Sequence, residues 1–403
     1  MRRPNWRRLA LLTPLLSTVL VRLGQLLTLL TFSWVPHGQG ASFAVTALGG
    51  LSGLLIMSDA GGASYVLSRG ADGLTRQQLA RVVRAQAALT GGCAVVGLIV
   101  VAWFGRDVDG LVLAGLVAVA VGQVLESVLR VVRAPLLLRR DDLRYGSWDA
   151  VLGLSKVALV AGCWLAQSLV PLLLIPLISG CVLAVAYTQV GRSLSEERGR
   201  VPAFLEIWEY GLSGSLSALY SQSPLLVAGF VMPLADAAQV VLAYRFVQAA
   251  EVVPATFSNQ AIPRIAQRGW TTGRVWGASI ALGLGCAAIL AVLEPVLGRL
   301  SGAGWNRAAF LVLCAALVLK CGNYGLVAVL LACRRARAKA VVTVIVGLAS
   351  AGAAVLVGRL QGAVGLSWLT TASEALLAVG LAVVARPRLQ PALLAGPLEE
   401  VDR

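Results

Sequence analysis

The stretch LALLTPLLSTVLVRLGQLLTLLTFSW, residues 9–34, holds a single charged side chain, Arg22, among mainly apolar residues. Four arginines lie just before it, between residues 2 and 8. The apolar part of a secretory signal peptide is about 7 to 15 residues long, whereas a helix needs about 20 residues to cross a bilayer. We therefore expect a membrane-spanning helix here and no cleaved signal peptide.

The whole chain has the composition of a membrane protein. Of its 403 residues, 58% are hydrophobic and 13% are charged, and the mean hydropathy is +0.81. Soluble domains carry about 25% charged residues. This composition excludes a secreted enzyme and a cytosolic nucleic-acid-binding protein, so the net charge of +15 does not indicate a nucleic-acid partner.

Apolar runs separated by charged residues, glycine or proline predict about twelve spans, roughly one for every 30 to 35 residues. Lipid offers no hydrogen-bond partner to unpaired backbone groups, so each span is expected to be a helix. The predicted fold is therefore all-α and polytopic. The predicted spans are residues 9–34, 41–67, 82–104, 110–133, 147–167, 169–191, 205–232, 236–258, 275–297, 305–332, 339–358 and 363–385.

The distribution of basic residues predicts the orientation. With the N-terminus in the cytoplasm, most loop Lys and Arg residues fall on the cytoplasmic side, with one cluster from Arg130 to Arg144 and another from Arg334 to Lys339. Positive charge concentrates in cytoplasmic loops, so both termini are expected in the cytoplasm. The arginines expected on the other side are Arg106, Arg299, Arg307 and Arg359.

The spacing of the spans indicates an internal repeat. A shift of about 195 residues lays the first six spans over the last six, and the even number gives both sets the same orientation. We therefore expect two six-helix halves, residues 1–195 and 196–403. A parallel pseudo-two-fold axis along the membrane normal should relate them, with a cleft between them.

A more specific pattern lies in ALYSQSPLLVAGFVMPLADAAQVVLAYRFVQAAEVVPATFSNQAIPRIAQ, residues 218–267. It combines a serine-rich helix, a short loop, the pair "YR" and a closing "PRIA". Together with two six-helix halves, short external loops and basic cytoplasmic loops, it resembles the transporters of the MOP superfamily. Within that superfamily it is most similar to bacterial polysaccharide exporters, the O-antigen-type (Wzx-like) flippases.

The resemblance implies a MOP/MATE-like fold and a function. Such a protein moves a polyprenyl-diphosphate-linked oligosaccharide from the inner to the outer leaflet by alternating access. The implied location is the bacterial cytoplasmic (inner) membrane, and the implied partners are membrane lipids and other polysaccharide-assembly proteins. No enzymatic activity is expected. No cofactor or metal is expected either, since the seven cysteines form no Cys-x-x-Cys pair and His37 is the single histidine.

Ionisable residues inside predicted spans are candidates for the functional site, because each costs about 2.5 to 3.5 kcal/mol to insert. Arg22, Arg245 and Lys320 lie near the middle of the first, eighth and tenth spans. Guanidinium groups match phosphate oxygens in paired hydrogen bonds. One hypothesis is therefore a cationic cleft in which these three residues bind the substrate's diphosphate.

The alternative hypothesis is internal neutralisation. Glu126 and Glu251 are the candidate charge partners or coupling residues, and pairing with them would lock the halves together without any contact to substrate. Lys156 is expected to pair with Asp149, seven residues earlier on the same helix face.

Three other functions stay open. A MATE-type drug/cation antiporter would favour carboxylates in its cavity, whereas the mid-span charges here are mainly basic. A lipid II flippase would share the cationic cavity but usually has additional helices. A membrane glycosyltransferase or polymerase would carry catalytic residues on large external loops, and the loop with Asp107 and Asp109 has only a few residues.

The topology is tested by labelling cysteines that are introduced into a chain without its native ones. A membrane-impermeant thiol reagent added from outside should react at positions 37, 109 and 304, because these lie in predicted external loops. It should miss positions 142 and 335, and external labelling at position 142 would overturn the predicted orientation.

Overall fold

The computed structural model describes residues 6–35, 39–69, 74–139, 141–195, 202–258, 265, 271–301, 305–333 and 335–385. These residues are almost entirely helical. A short 3₁₀ turn, Val170–Leu174, precedes the seventh helix. The helices are α1 (Trp6–Trp34), α2 (Gln39–Met57), α3 (Gly62–Arg69), α4 (Arg76–Phe104), α5 (Gly110–Leu138), α6 (Asp142–Ala166), α7 (Ile175–Arg192), α8 (Phe204–Val231), α9 (Leu234–Ala250), α10 (252–258), α11 (Thr272–Leu300), α12 (Arg307–Ala332) and α13 (Ala336–Ala385).

The helices correspond to the predicted spans, and the predicted all-helical membrane fold is confirmed. Ten segments of the described chain are long and apolar enough to cross a membrane. One of them, Arg337–Ala385, contains the last two predicted spans, because Gly362 interrupts α13 with φ 59° and ψ −144°. The seventh predicted span corresponds to α8, in which the apolar segment Ala218–Val231 is shorter.

Two predicted spans are not continuous helices. The second is broken between α2 and α3, where Gly61 has a φ of 76° and donates its N–H to Asp59 Oδ1 over 2.9 Å. The eighth is broken at Glu251, between α9 and α10. Pro254, three residues on, has no backbone N–H and cannot continue the hydrogen-bond ladder.

The helix ends define two faces. The basic face carries Arg76 at the start of α4, Arg139 at the end of α5 and Arg335 before α13. It is the face predicted to be cytoplasmic. The opposite face carries Trp34 at the end of α1 and Trp305 before α12.

The main helix contacts lie within and between the two predicted halves. In the first half, α1 packs along α6 and α5 packs along α7. In the second half, α12 packs against α11, and α13 packs against both α8 and α12. Between the halves, the main contacts join α2 to α8 and α9. The pseudo-two-fold axis and the boundary at residue 195 stay predictions.

Glycines let the two halves approach closely. A Cβ atom on Gly49 of α2 would lie 2.5 Å from Val241 Cγ1 of α9. A Cβ atom on Gly61 would lie 2.0 Å from the backbone nitrogen of Gly211 in α8. Small residues at such crossings are typical of membrane helices, which associate through close packing.

The largest cluster of buried apolar side chains lies toward the opposite face. Toward the opposite face, one cluster of buried side chains joins both halves, with Phe32 and Leu116 from the first and Val241 and Phe310 from the second. Toward the basic face, the buried clusters are separate: one lies in the first half with Ile207 of α8, and others lie within the second half. The halves therefore share their largest buried cluster toward the opposite face, and they also meet through α3 and α8 nearer the basic face.

The close crossing at Gly61 is tested by substitution. Gly61→Ala should lower the thermal stability of the detergent-purified protein strongly, because alanine strains a positive φ by about 1 to 3 kcal/mol and its Cβ overlaps Gly211. Gly50→Ala is the matched control, since a Cβ there meets no atom within 4 Å. Equal melting temperatures for the two variants would contradict this packing.

Candidate functional site: a cationic cavity between the halves

A cavity of about 210 Å³ lies between the two halves. Its walls come from α1, α2, α5, α6 and the start of α7 in the first half, and from α9 in the second. The lining begins at mid-depth, beside Thr28 and Leu48, and reaches Arg130 and Asp149 toward the basic face. Because Arg130 is exposed, the cavity extends toward the basic face. Its charged and amide side chains are Arg22, Gln25, Gln123, Glu126, Arg130, Arg133, Asp149, Lys156, Arg245 and Gln248.

The two mid-span arginines line this cavity. Arg22 projects from α1 and donates from Nη1 to Gln25 Oε1 over 3.2 Å. Arg245 projects from α9 and donates from Nη1 to Gln248 Oε1 over 2.8 Å and from Nη2 to the carbonyl of Gly49 over 3.0 Å. In the part of the chain that the structure describes, no carboxylate forms an ion pair with either guanidinium.

The carboxylates of the cavity wall are already neutralised. Glu126 Oε1 of α5 lies 2.5 Å from Lys156 Nζ of α6, and both side chains are buried. Two helical turns closer to the basic face, Arg133 of α5 pairs with Asp149 of α6. The predicted pairing of Lys156 with Asp149 is therefore wrong. Seven residues along one helix span about 10 Å, whereas the neighbouring antiparallel helix brings opposite charges side by side.

Lys320, the third predicted phosphate ligand, lies elsewhere. It projects from α12 into a separate cavity of about 20 Å³ in the second half. Its Nζ lies 2.8 Å from Glu251 Oε1, and Tyr324 donates to Glu251 Oε2 over 3.2 Å. Lys320 thus has the internal partner that the alternative hypothesis expected, whereas Arg22 and Arg245 do not.

Several polar residues of the site were missed by sequence analysis. Glu374, which had no evident partner in the sequence, accepts a hydrogen bond from Asn323 Nδ2 over 2.8 Å, beside the Lys320 cavity. Arg130 adds a third cation to the inter-half cavity. Its place on α5, four residues after Glu126, was a usable signal. Gln25 and Gln248 could also be found from their spacing, since each lies three residues after a mid-span arginine.

Like charge accumulates in the cavity. Arg22 is repelled by Arg130 and Arg245, and it is attracted by the more distant carboxylates Glu126 and Glu251, with which it forms no ion pair. With the cavity carboxylates committed to Lys156 and Arg133, these three cations are not balanced by an ion pair among the described residues. Such an arrangement attracts anions and repels organic cations.

The opposite face is closed above the cavity by contacts between the halves. Ser33 at the end of α1 donates to the carbonyl of Ser301 after α11. Phe104 of α4 and Phe230 of α8 meet edge to face, with ring centroids 5.9 Å apart. These contacts separate the cavity from the opposite face.

Solved structures with a similar fold are transporters. A eukaryotic MATE transporter, AtDTX14, has a TM-score of 0.69 at 13% identity, with 94% of this chain and 95% of that chain covered. The lipid II flippase MurJ in an inward closed conformation has a TM-score of 0.66 at 13% identity, over 92% and 86%. An inward-facing multidrug resistance MATE family transporter of the MOP superfamily has a TM-score of 0.64 at 15% identity, over 93% and 99%.

These similarities establish the fold class. The chain has the fold of the MATE and MurJ transporters, and the predicted MOP/MATE-like architecture is confirmed. No family model matches the sequence, and no curated protein sequence is similar to it. Residues 259–264 and 266–267 of the stretch that carried the exporter resemblance lie outside the described residues, and the O-antigen-type subtype stays a prediction.

The buried pair Glu126–Lys156 yields a stability prediction. Lys156→Met should lower the free energy of unfolding by about 3 to 5 kcal/mol, because it leaves the Glu126 charge buried without a partner. The double variant Glu126→Gln/Lys156→Met should recover most of this loss. Unfolding of the purified protein in mixed micelles with increasing SDS measures both effects.

Arg144→Ala is the control for that series. Arg144 pairs with Asp141 at the surface, where its side chain is 71% exposed, so its loss should change stability by less than about 1 kcal/mol. If Lys156→Met is as stable as Arg144→Ala, the buried pair does not contribute as described.

Proposed function

We propose that this protein translocates a polyprenyl-diphosphate-linked oligosaccharide across the membrane, and that Arg22 and Arg245 bind its diphosphate. The observation that carries the proposal is the pair of cavity guanidinium groups without a carboxylate partner. A cation at mid-membrane depth is costly unless it is hydrated or meets an anion. A diphosphate supplies that anion and accepts the paired hydrogen bonds that guanidinium groups donate.

The position of the two arginines supports coupling between binding and movement. Arg22 lies on α1 and Arg245 on α9, so one diphosphate held by both would join the two halves. A ligand can shift a conformational equilibrium only as far as its affinities for the two states differ. A ligand that bridges the halves binds the two states with different affinities. The reason is that the distance between the halves differs between the state open to one side of the membrane and the state open to the other.

The cavity holds a head group rather than a whole substrate. Pockets for drug-sized ligands have volumes of about 300 to 1,000 Å³, and this cavity has about 210 Å³. We infer that the diphosphate and the nearest sugar lie inside, while the polyprenyl chain stays in the bilayer. The amide and hydroxyl groups of Gln123 and Ser52, joined by a 2.8 Å hydrogen bond, can exchange hydrogen bonds with sugar hydroxyls.

Lys320 takes a different role in this proposal. Its ion pair with Glu251 joins α12 to the break between α9 and α10, so we assign it to the internal structure of the second half. Glu126 likewise serves Lys156. Both carboxylates are charge partners here, not groups that contact substrate.

The wider setting follows from the same proposal. The substrate is lipid-linked and made inside the cell, so we place the protein in a bacterial cytoplasmic membrane with both termini in the cytoplasm. Its partners would be membrane lipids and polysaccharide-assembly proteins, and it would carry out no covalent chemistry. The cavity would then face the side on which the substrate is made.

A MATE-type drug/cation antiporter is the second candidate, favoured by two of the three structural similarities described above. An organic cation would need a free carboxylate in the cavity. Glu126 and Asp149, the carboxylates that line it, are paired with Lys156 and Arg133. The charge of the cavity thus favours an anionic substrate.

Substitution of the arginines tests the proposal. Arg22→Ala and Arg245→Ala should abolish export while membrane abundance stays near normal, because each removes a phosphate contact and no ion pair. Lysine at either position should restore part of the activity, since it keeps the charge but loses the paired donors. Export is measured as the lipid-linked oligosaccharide that accumulates on the cytoplasmic leaflet of cells depleted of the native protein.

Arg359→Ala is the control, because Arg359 is exposed in α13, away from the cavity. Normal export by the alanine variants at positions 22 and 245 would refute the cationic site. Their disappearance from the membrane would show instead that the two arginines maintain the fold.

Glu251→Gln should weaken stability, because it removes the partner of Lys320.

A further inference from the structure

Each cavity arginine is followed by a glutamine in the same spacing. The segments RLGQ, residues 22–25, and RFVQ, residues 245–248, lie in different halves of the protein. In both, a guanidinium Nη1 donates to the amide oxygen of the glutamine, over 3.2 Å for Gln25 and 2.8 Å for Gln248. Residues three apart lie on the same face of a helix, so each glutamine directs its arginine along the wall of the cavity.

Three other cations that line the two cavities have a different kind of partner. Lys156, Arg133 and Lys320 each form an ion pair with a carboxylate. A carboxylate both orients a cation and cancels its charge. An amide oxygen orients the cation but carries no net charge, so Arg22 and Arg245 keep a full positive charge.

From this contrast we propose that Gln25 and Gln248 are positioning residues of the anion site. They hold the two guanidinium groups toward the cavity and preserve the charge that a diphosphate neutralises. The inference rests on the proposed function and adds two residues to it. Each guanidinium has five N–H donors, so one bond to glutamine, and a second from Arg245 to Gly49, leave donors for phosphate oxygens.

Gln248 has a second task in the same arrangement. Arg245, Gln248 and Glu251 follow one another at intervals of three residues, and Gln248 lines both the inter-half cavity and the small cavity that holds Glu251 and Lys320. The Gln248 amide therefore lies between Arg245, which we assign to substrate binding, and Glu251, which pairs with Lys320. By holding Arg245, it keeps that guanidinium from pairing with Glu251.

A change from amide to carboxylate tests this role. Gln25→Glu and Gln248→Glu should each lower the affinity of the detergent-purified full chain for inorganic pyrophosphate by about tenfold or more, because each new carboxylate neutralises an arginine. The melting temperature without pyrophosphate should stay equal or rise, since an ion pair replaces a neutral hydrogen bond. Titration calorimetry at fixed ionic strength measures the affinity.

Alanine variants separate orientation from charge. Gln25→Ala and Gln248→Ala should weaken pyrophosphate binding less than the glutamate variants do, because the arginine keeps its charge and loses only its orientation. They also keep the test valid if a glutamate variant fails to fold. Gln77→Glu is the matched control, because Gln77 is exposed at the start of α4, and it should bind pyrophosphate like the unaltered chain.

The outcomes distinguish this inference from the proposal on which it rests. If the unaltered protein does not bind pyrophosphate, the proposed anion site is wrong. If it binds pyrophosphate and the glutamate variants bind equally well, the site stands and the glutamines do not position it. If alanine and glutamate lower the affinity equally, the glutamines contribute packing alone, and the proposed role of their neutrality is wrong.

Discussion

A buried charge in a membrane must be balanced, and the way each charge is balanced organises this structure. An isolated cation at mid-depth costs several kcal/mol, so every lysine and arginine there needs a partner. Lys156, Arg133 and Lys320 have carboxylates. Arg22 and Arg245 have glutamine amides. The cations with carboxylate partners connect helices within each half. The arginines with amide partners keep their positive charge in the cavity between the halves.

The fold places the second group where a ligand can join the halves. Close packing at Gly49 brings α9 against α2, and the carbonyl of the same glycine accepts a hydrogen bond from Arg245. The largest apolar cluster joins both halves toward the opposite face. The cavity lies on the basic side of this large cluster. Separate clusters of buried side chains flank it in the first and second halves. The cavity extends from mid-depth toward the basic face.

The sequence predicted the spans and the two central arginines, but not the partners. Apolar length alone identifies the helices, because only a helix satisfies its backbone in lipid. Depth within a span selects Arg22, Arg245 and Lys320 alike, and it does not separate the two arginines from Lys320, which has an internal partner. Pairings across neighbouring helices depend on register, which no local pattern encodes. For this reason Lys156 was assigned to Asp149 on its own helix, although Glu126 of α5 is its partner.

Breaks within spans were missed for a related reason. The segment around Gly61 contains Asp59 and the pair Gly61–Gly62, which are local signals of a break, but the close contact with Gly211, 150 residues away, depends on the fold. Conversely, the spacing of Arg22 with Gln25 and of Arg245 with Gln248 is local. This spacing is visible in the sequence alone. The contrast between amide partners and carboxylate partners is visible only in the structure.

The proposed function requires that Arg22 and Arg245 together hold the diphosphate of a lipid-linked sugar. An experimental structure of the protein with a short-chain prenyl-diphosphate-linked sugar would show whether they do. We expect phosphate density between the two guanidinium groups, with Lys320 still paired to Glu251. Phosphate density at Lys320, or a head group bound away from both arginines, would contradict it.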